Sequence, residues 1–329
     1  MLTLLLPFLL LLAAISAATP WSLRPGFYSE TCPGAESAVR EVVKKAMIRE
    51  PRNAASVMRL QFHDCFVNGC DGSLLLDDTP NMVGEKLSLS NINSLRSFEV
   101  IDEAKEALEK MCPQTVSCAD IVIMAARDAV ALSGGPYWKV KLGRKDSLTA
   151  SQEDSDNIMP SPRANASFLI NLFQRFNLSK KDLVALSGSH SIGKARCFSL
   201  VHRLYNQSGS GQPDPAIEPG FRQKLTKLCP RDGDQNVTGD LDATPTWFDN
   251  QYFKDLVLGR GFLNSDQTLH TSAATREWVL KFSEDEDGFF DAFVEGMLKL
   301  GDLQSGRPGE IRRNCRVVND PSVNPVVCF

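Results

Sequence analysis

Histidine, tyrosine and tryptophan are scarce in this 329-residue chain, at four apiece, so each histidine can be weighed singly. A surplus of positive charge is also lacking: 36 Lys and Arg against 40 Asp and Glu leave a net charge of -4. That excludes the basic footprint of a nucleic-acid-binding protein. The cysteines, at 32, 65, 70, 112, 118, 197, 229, 315 and 328, show no CxxC pairing, which argues against a zinc module. There is no internal repeat, no heptad seam and no alternation of strand with helix patterns, so solenoids, coiled coils and doubly wound sheets are set aside. Beyond the first residues no run is long and apolar enough to span a bilayer. The 188–193 segment lacks the Gly-x-Ser-x-Gly elbow of a serine hydrolase.

What is present points to export. Residues 1–18 form an apolar run ending in small residues, read as a secretory signal peptide cleaved near Ala18 even though no basic residue precedes it. The run is short for a membrane anchor and Pro7 interrupts it. In an oxidising compartment eight of the nine cysteines make four disulfides and one is left over. Four sequons, at Asn165, Asn177, Asn206 and Asn236, fit the same route as N-glycan acceptors.

Hydrophobic periodicity makes the chain mainly α. Residues 35–50 repeat Val39, Val42, Val43, Ala46 and Met47 at helical spacing, and 98–111 form a second helix stopped by Pro113. Ser117 to Asp120 opens a third helix, apolar enough to run through the core, which ends at Ser133 to Pro136. Residues 144–162 are polar and rich in breakers. Helices resume over 168–176, 180–188, 249–258 and 289–300, with a loop over 207–219.

The chemistry concentrates between Arg59 and Ser73. At the end of a helix Arg59 and His63 lie four apart and share a face. A base beside a fixed cation suits a reaction that moves a proton while negative charge builds on a leaving oxygen. Asp64, Asp71 and Ser73 add hard oxygen atoms around the turn between Cys65 and Cys70, a plausible cage for Ca²⁺. His190 ends the helix 180–188 among small residues that let something bulky approach. His202 and His270 have no supporting neighbours and read as surface residues.

These segments resemble a known family. Phe27 to Pro33, Arg59 to Ser73, Val116 to Asp120, Gly143 to Ser147, Asp182 to His190, Phe248 to Asn250, Ser265 to Gln267 and Glu310 to Cys315 together are similar to the secreted plant haem peroxidases of class III. The resemblance runs over the whole chain after the signal peptide. It implies a mainly α peroxidase domain over 19–329 with little or no β-sheet. One haem b would lie between a distal half (roughly 19–150) and a proximal half (roughly 160–315), with a short tail at 316–329.

The resemblance also assigns roles. His190 is the axial ligand of the haem iron, and Asp266 accepts its other ring N–H. His63 is the general base that takes the proton of H2O2 and returns it to the departing oxygen; Arg59 stabilises the developing charge. Asn91 and Glu85 orient His63 and lower its proton affinity, Phe62 packs over the haem edge, and the carbonyl of Pro160 helps bind a phenol. Two Ca²⁺ ions are implied. The first is held by Asp64, Val67, Gly69, Asp71 and Ser73; the second by Ser191, Asp242, Thr244, Trp247 and Asp249. At the second site Ser191 replaces the usual threonine and the Asp242-to-Thr244 spacing is one residue short, so Asp240 is a rival ligand. The implied disulfides are Cys32–Cys112, Cys65–Cys70, Cys118–Cys315 and Cys197–Cys229, leaving Cys328.

The implied activity reduces H2O2 to water through a ferryl intermediate while phenolic donors lose single electrons. Cell-wall phenolic coupling (lignin or suberin), peroxide removal and stress response are the expected settings. A monomer in the cell wall, or in the vacuole if the tail directs it there, is expected. A zinc hydrolase built on His63, Asp64 and Cys65 fails on ligand spacing. An inactive glycoprotein of the same fold is opposed by the joint presence of Arg59, His63, His190 and Asp266.

Overall fold

A computed structural model of the chain describes residues 22–320 and 322; the expected signal peptide and Cys328 lie outside the described residues. The first helices are α1 (Ala35–Arg49), α2 (Asn53–Phe66), α3 (Phe98–Met111) and α4 (Cys118–Leu132). The helix α4 is buried on every side from Cys118 to Val130 and packs against α1, α2 and α3. Its start is set by Ser117, whose hydroxyl accepts from the amide of Asp120 at 3.2 Å. An all-round apolar helix is stable only inside a core, and here three others cover it.

Two short helices lead into the second half, α5 (Gln152–Ile158) and α6 (Ala166–Arg175), followed by α7 (Lys180–Ser187). Then come α8 (Cys197–Tyr205), α9 (Pro219–Leu228), α10 (Gln251–Val257), α11 (Asn264–Thr271), α12 (Arg276–Glu284) and α13 (Glu286–Gly301). Strand content among the described residues is small. Strand β1 (Asp146–Ser147) pairs antiparallel with β4 (Gly309–Glu310), and β2 (Lys194–Arg196) with β3 (Thr238–Asp240). One large apolar cluster links α1–α4 with α6, α7, α10, α12 and α13. A smaller one beneath α8 and α9 gathers Leu200, Leu204, Ile217, Leu225 and Phe262.

Four of the segments that carry the family resemblance meet in one buried polar knot. The carboxylate of Asp120 accepts from the Tyr28 hydroxyl (2.8 Å), the Gly143 amide (2.6 Å) and Arg144 Nη1 (2.7 Å). Asp146 accepts from the amides of Cys118 (3.1 Å), Ala119 (2.9 Å) and Arg312 (2.9 Å). Every one of these carboxylates and both arginines are buried, so their satisfaction matters more than their number. The disulfides are the four expected: Cys32–Cys112, Cys65–Cys70, Cys118–Cys315 and Cys197–Cys229. Cys118–Cys315 closes a loop of sequence separation 197; chain entropy assigns such a closure about 5 kcal/mol.

The differences from the sequence reading are local. Within 144–162, read as irregular, lie β1 and α5; Ser151 caps α5 by accepting from the Asp154 amide at 3.1 Å. The helices α8, α9, α11 and α12 lie outside the segments read as helical; each is short and buries only a few side chains, in α9 Leu225 alone.

Candidate active site

Helix α2 presents His63 and Arg59 to a loop at residues 88–95. The Arg59 guanidinium donates to the Ser90 carbonyl at 2.9 Å, the Ser94 carbonyl at 3.1 Å and the Ser94 hydroxyl at 3.2 Å. His63 is 4% exposed, and its Nδ1 stands 2.5 Å from Asn91 Oδ1. Asn91 in turn donates from Nδ2 to the Glu85 carbonyl at 2.8 Å. That bond fixes which way the amide faces: its nitrogen points to a carbonyl, so its oxygen points to the imidazole. Nδ1 therefore carries the hydrogen, and Nε2 keeps its lone pair and has no protein partner among the described residues.

Two details of this chain differ from the expectation. Glu85 reaches Asn91 through its backbone carbonyl, while both of its carboxylate oxygens are buried without a partner. And Asn91 does not lower the proton affinity of His63: an acceptor on Nδ1–H favours the imidazolium. His63 is nevertheless held well below its usual pKa, first by burial and then by the Arg59 charge. Arg59 itself is pushed down to about 10 by burial and by Arg196 and Arg52, and stays a cation at neutral pH.

His190 lies on a 3₁₀ turn, Gly188–Ser191, just past α7 instead of at a helix end. Its Nδ1 donates to Asp266 Oδ1 at 2.7 Å. The same oxygen accepts from the Tyr252 hydroxyl at 3.1 Å, and Oδ2 accepts from the Leu263 amide at 3.0 Å. Tyr252, on α10, is a residue that sequence reasoning missed; its position three after Asp249, with only four tyrosines in the chain, was the available signal. Two glycines near His190 have packing roles of their own. A Cβ on Gly188 would come within 2.5 Å of Phe289, so that gap is filled by α13. Gly193, at φ 104°, lies against α2, where a Cβ would meet Ala55 at 2.8 Å. The turn bearing His190 thus abuts the helix bearing His63.

The site fits a haem on its own chemistry. Both imidazoles are anchored through Nδ1 and leave Nε2 without a partner, and the His190 side chain is 36% exposed. Arg52, Arg59 and Arg196 have no carboxylate partner among the described residues, a surplus that suits a group bearing carboxylates. Phe62 is half-buried, its ring 4.3 Å from that of Phe66 and 5.8 Å from that of His63. Pro160 follows α5 and is partly exposed.

Two clusters fit hard cations. Asp64 accepts from the Gly72 and Leu74 amides at 3.0 and 3.3 Å, and Asp71 from the Ser73 amide at 3.1 Å. Ser73 Oγ and the Glu85 carboxylate are buried and unpartnered nearby. Burial and mutual repulsion push the Asp64 carboxyl up, and burial does the same to Asp71. Val67 and Gly69 lie in the turn that Cys65–Cys70 closes. In the second cluster Ser191 Oγ stands 3.2 Å from Asp249 Oδ1 and 3.3 Å from the Trp247 carbonyl. Thr244 Oγ1 stands 3.1 Å from Asp249 and 3.3 Å from Asp242. The Asp242 carboxyl is raised to about 8, mainly by burial. Asp240 faces away, 2.6 Å from Lys194 Nζ. Neither cluster gathers three His, Cys, Asp or Glu groups among the described residues; hydroxyls and carbonyls make up the set, as oxygen-seeking cations allow.

A cavity of about 490 Å³ lies elsewhere, lined by Arg163, His202, Asn206, Asp214, Asn264 and Thr268 among others. None of the residues above lines it. His202 is not the surface residue expected: it is half-buried, with Nδ1 unpartnered and its pKa pushed down to about 4 by burial. The four sequon asparagines are all exposed.

A family profile described as peroxidase matches residues 39–285. Peroxidase 17 of Arabidopsis thaliana is 77% identical over 317 residues, 96% of each chain. Peroxidase 15 of the same plant is 51% identical over 91% of this chain and 90% of its own length. Peroxidase C2 of Armoracia rusticana is 45% identical over 98% of this chain and 95% of its own.

Proposed function

The chain belongs to the peroxidase family, and from that premise we propose that His63 and Arg59 are the pair that opens H2O2. The protein is a haem peroxidase: it reduces H2O2, oxidises phenolic donors, and uses haem together with two calcium ions. Haem, when bound, supplies the redox chemistry, accepting the oxidising equivalents of peroxide and passing them to donors one electron at a time.

The observation that carries the assignment is the Glu85–Asn91–His63 relay. It leaves a neutral imidazole with its lone pair on Nε2, the form a general base needs. His63 takes the proton of one peroxide oxygen and delivers it to the other, which departs as water. Arg59, cationic and held by the Ser90 and Ser94 carbonyls, stabilises the negative charge that builds on the departing oxygen. His190 would hold the haem iron through Nε2, and Asp266 would give its imidazole anionic character. Phe62 would pack against the haem, and the Pro160 carbonyl would receive the hydroxyl of a phenol. Asp64, Asp71, Ser73 and the carbonyls of Val67 and Gly69 hold one calcium. Ser191, Asp242, Thr244, Asp249 and the Trp247 carbonyl hold the other, with Asp242 preferred to the lysine-paired Asp240.

An export signal through Ala18, a single peroxidase domain from 19 onward, and N-glycans at some of Asn165, Asn177, Asn206 and Asn236 suit a secreted monomer. It would act on wall phenolics or remove peroxide. No helix among the described residues is long and apolar enough to cross a membrane. The test is the Soret band under a stoichiometric pulse of H2O2, followed by guaiacol. Wild type should lose and regain Soret intensity; His63→Ala should bind haem yet respond about 10²- to 10⁴-fold more slowly, the usual worth of a general base. A variant as fast as wild type would remove His63 from the role.

A further inference from the structure

Two of the four sequon asparagines, Asn165 and Asn206, border one cavity, the space of about 490 Å³ that lies apart from the two anchored histidines. Its size falls within the roughly 300–1,000 Å³ usual for small-molecule sites. Asn206 opens a wall segment that continues through Gln207, Ser208 and Gly209, and His202 lines the cavity one turn back on α8. Asn165 caps α6, and none of that helix lines the cavity behind it. The Asn206 side chain is pinned through its oxygen, which accepts from the Gly211 amide at 2.8 Å. Its Nδ2, the atom from which an N-linked sugar hangs, has no partner among the described residues.

The wall is polar and incompletely satisfied. Asn264 donates from Nδ2 to the carbonyls of Arg163 and Ala164 at 3.0 and 2.9 Å, so its oxygen is the atom that meets Gln207 Nε2, at 2.7 Å. That chain fixes the Gln207 amide and leaves its Oε1 buried with no donor. His202 Nδ1 is likewise buried and unpartnered. Burial keeps the ring neutral, able to donate from one nitrogen and accept at the other. Buried polar atoms without partners are costly, and an occupant with N–H and O–H groups supplies what these lack. N-acetylglucosamine, the first sugar of an N-glycan, carries an acetamido N–H and ring hydroxyls. Linked to Asn206 it is tethered at the cavity, so its seating is intramolecular and needs little intrinsic affinity.

We propose that the first sugars of an N-glycan on Asn206 seat in this cavity and brace α11. This rests on the reading of Asn206 as glycosylated. Asn264, Thr268 and Thr271 are spaced four and three apart and share the face of α11 that lines the cavity. Asp266 lies on the opposite side of the same helix, where it accepts from His190 Nδ1 at 2.7 Å. The seated sugar thus supports, from outside, the helix that orients His190.

The experiment uses the haem-loaded, secreted full-length protein carrying high-mannose glycans. Glycopeptide mass spectrometry first reads occupancy at each sequon. Endoglycosidase H cuts between the first two sugars. In the native protein it should release the Asn206 glycan roughly tenfold more slowly than the glycan at any occupied sequon outside the cavity, a difference lost on denaturation. Thr271→Tyr, which fills the cavity and leaves the sequon intact, should abolish the delay. Ser208→Ala, which removes the glycan, should speed hydrogen exchange across residues 264–271, whereas Asn236→Gln should leave it unchanged. An unoccupied Asn206 overturns the glycosylation reading and the seat with it. With Asn206 occupied, release as fast as elsewhere in the native protein, or a delay that survives Thr271→Tyr, overturns the seat alone. Unchanged exchange in Ser208→Ala overturns the bracing of α11.

Discussion

Tyr252 and His190 donate to the same oxygen of Asp266, at 3.1 and 2.7 Å. The two hydrogen bonds compete for one lone-pair region, so the hydroxyl dilutes the negative charge that the imidazole feels. Tyr252→Phe keeps the buried ring and removes only that donor. The expected outcome is a midpoint potential of the haem iron lower by on the order of tens of mV, since a hydrogen bond to a charged group is worth about 1.5–3 kcal/mol and only part is transmitted. Spectroelectrochemical titration reads it; a potential equal to wild type would show that Tyr252 only fills space.

The peroxide step should be flat with pH across the neutral range. His63 is held well below 6.5 by burial and Arg59, so its neutral form persists until the medium is distinctly acid. The rate falls as pH drops through that lowered pKa, because the protonated ring cannot accept the peroxide proton. Arg59→Gln removes one of the two lowering causes, so the acid limb should move to higher pH as the rate drops. Stopped-flow Soret traces from pH 4 to 8 would check both the position and the direction.

Calcium removal should destabilise the protein with a characteristic pH slope. Without the cation, Asp64, Asp71 and Asp242 are carboxyls whose folded pKa lies above the unfolded value. Their contribution is fully present below the unfolded pKa and is lost as pH rises through the folded one. The chelated protein should therefore melt lower at pH 8 than at pH 5.5, and saturating calcium should flatten or reverse that slope. At pH 8 the loss should be about 5–10 °C, corresponding to roughly 3 kcal/mol of linkage. Calorimetry with and without chelator gives the answer.

The knot around Asp120 predicts a stability defect with the chemistry left intact. Arg144→Ala strands a buried carboxylate that otherwise takes 2.7 Å from Nη1. Breaking such a pair costs about 3–5 kcal/mol. The denaturant midpoint should fall accordingly, while the Soret response of the protein that remains folded keeps its wild-type rate. A slowed response at unchanged stability would place Arg144 in the site.

Sequence carried the long elements well and the short ones poorly. The 98–111 helix was legible to the residue because Val100, Ile101, Ala104 and Leu108 face one core and Pro113 stops it. The helix α11, eight residues with three buried, offers too few apolar positions to reveal a period. Histidine scarcity made His63 and His190 stand out, and resemblance named their partners. It could not show that Glu85 works through its carbonyl, because no residue type specifies which of its atoms a neighbour will meet. Nor could it tell that Tyr28, Asp120, Asp146 and Arg312 belong to a structural knot, since pairs 92 and 166 positions apart come together only in the folded chain. That Asp240 pairs with Lys194 while Asp242 meets Thr244 likewise emerges only from the folded chain.

The Cys118–Cys315 bridge and the Arg312–Asp146 contact give the order of synthesis a role in assembly. At about 5–20 residues per second, the 197 positions between the two cysteines take roughly 10–40 s to emerge. During that interval the start of the central helix has neither its covalent clasp nor the arginine that seals it. The nascent protein is then a loosely shut shell until the 312–315 segment arrives to lock it.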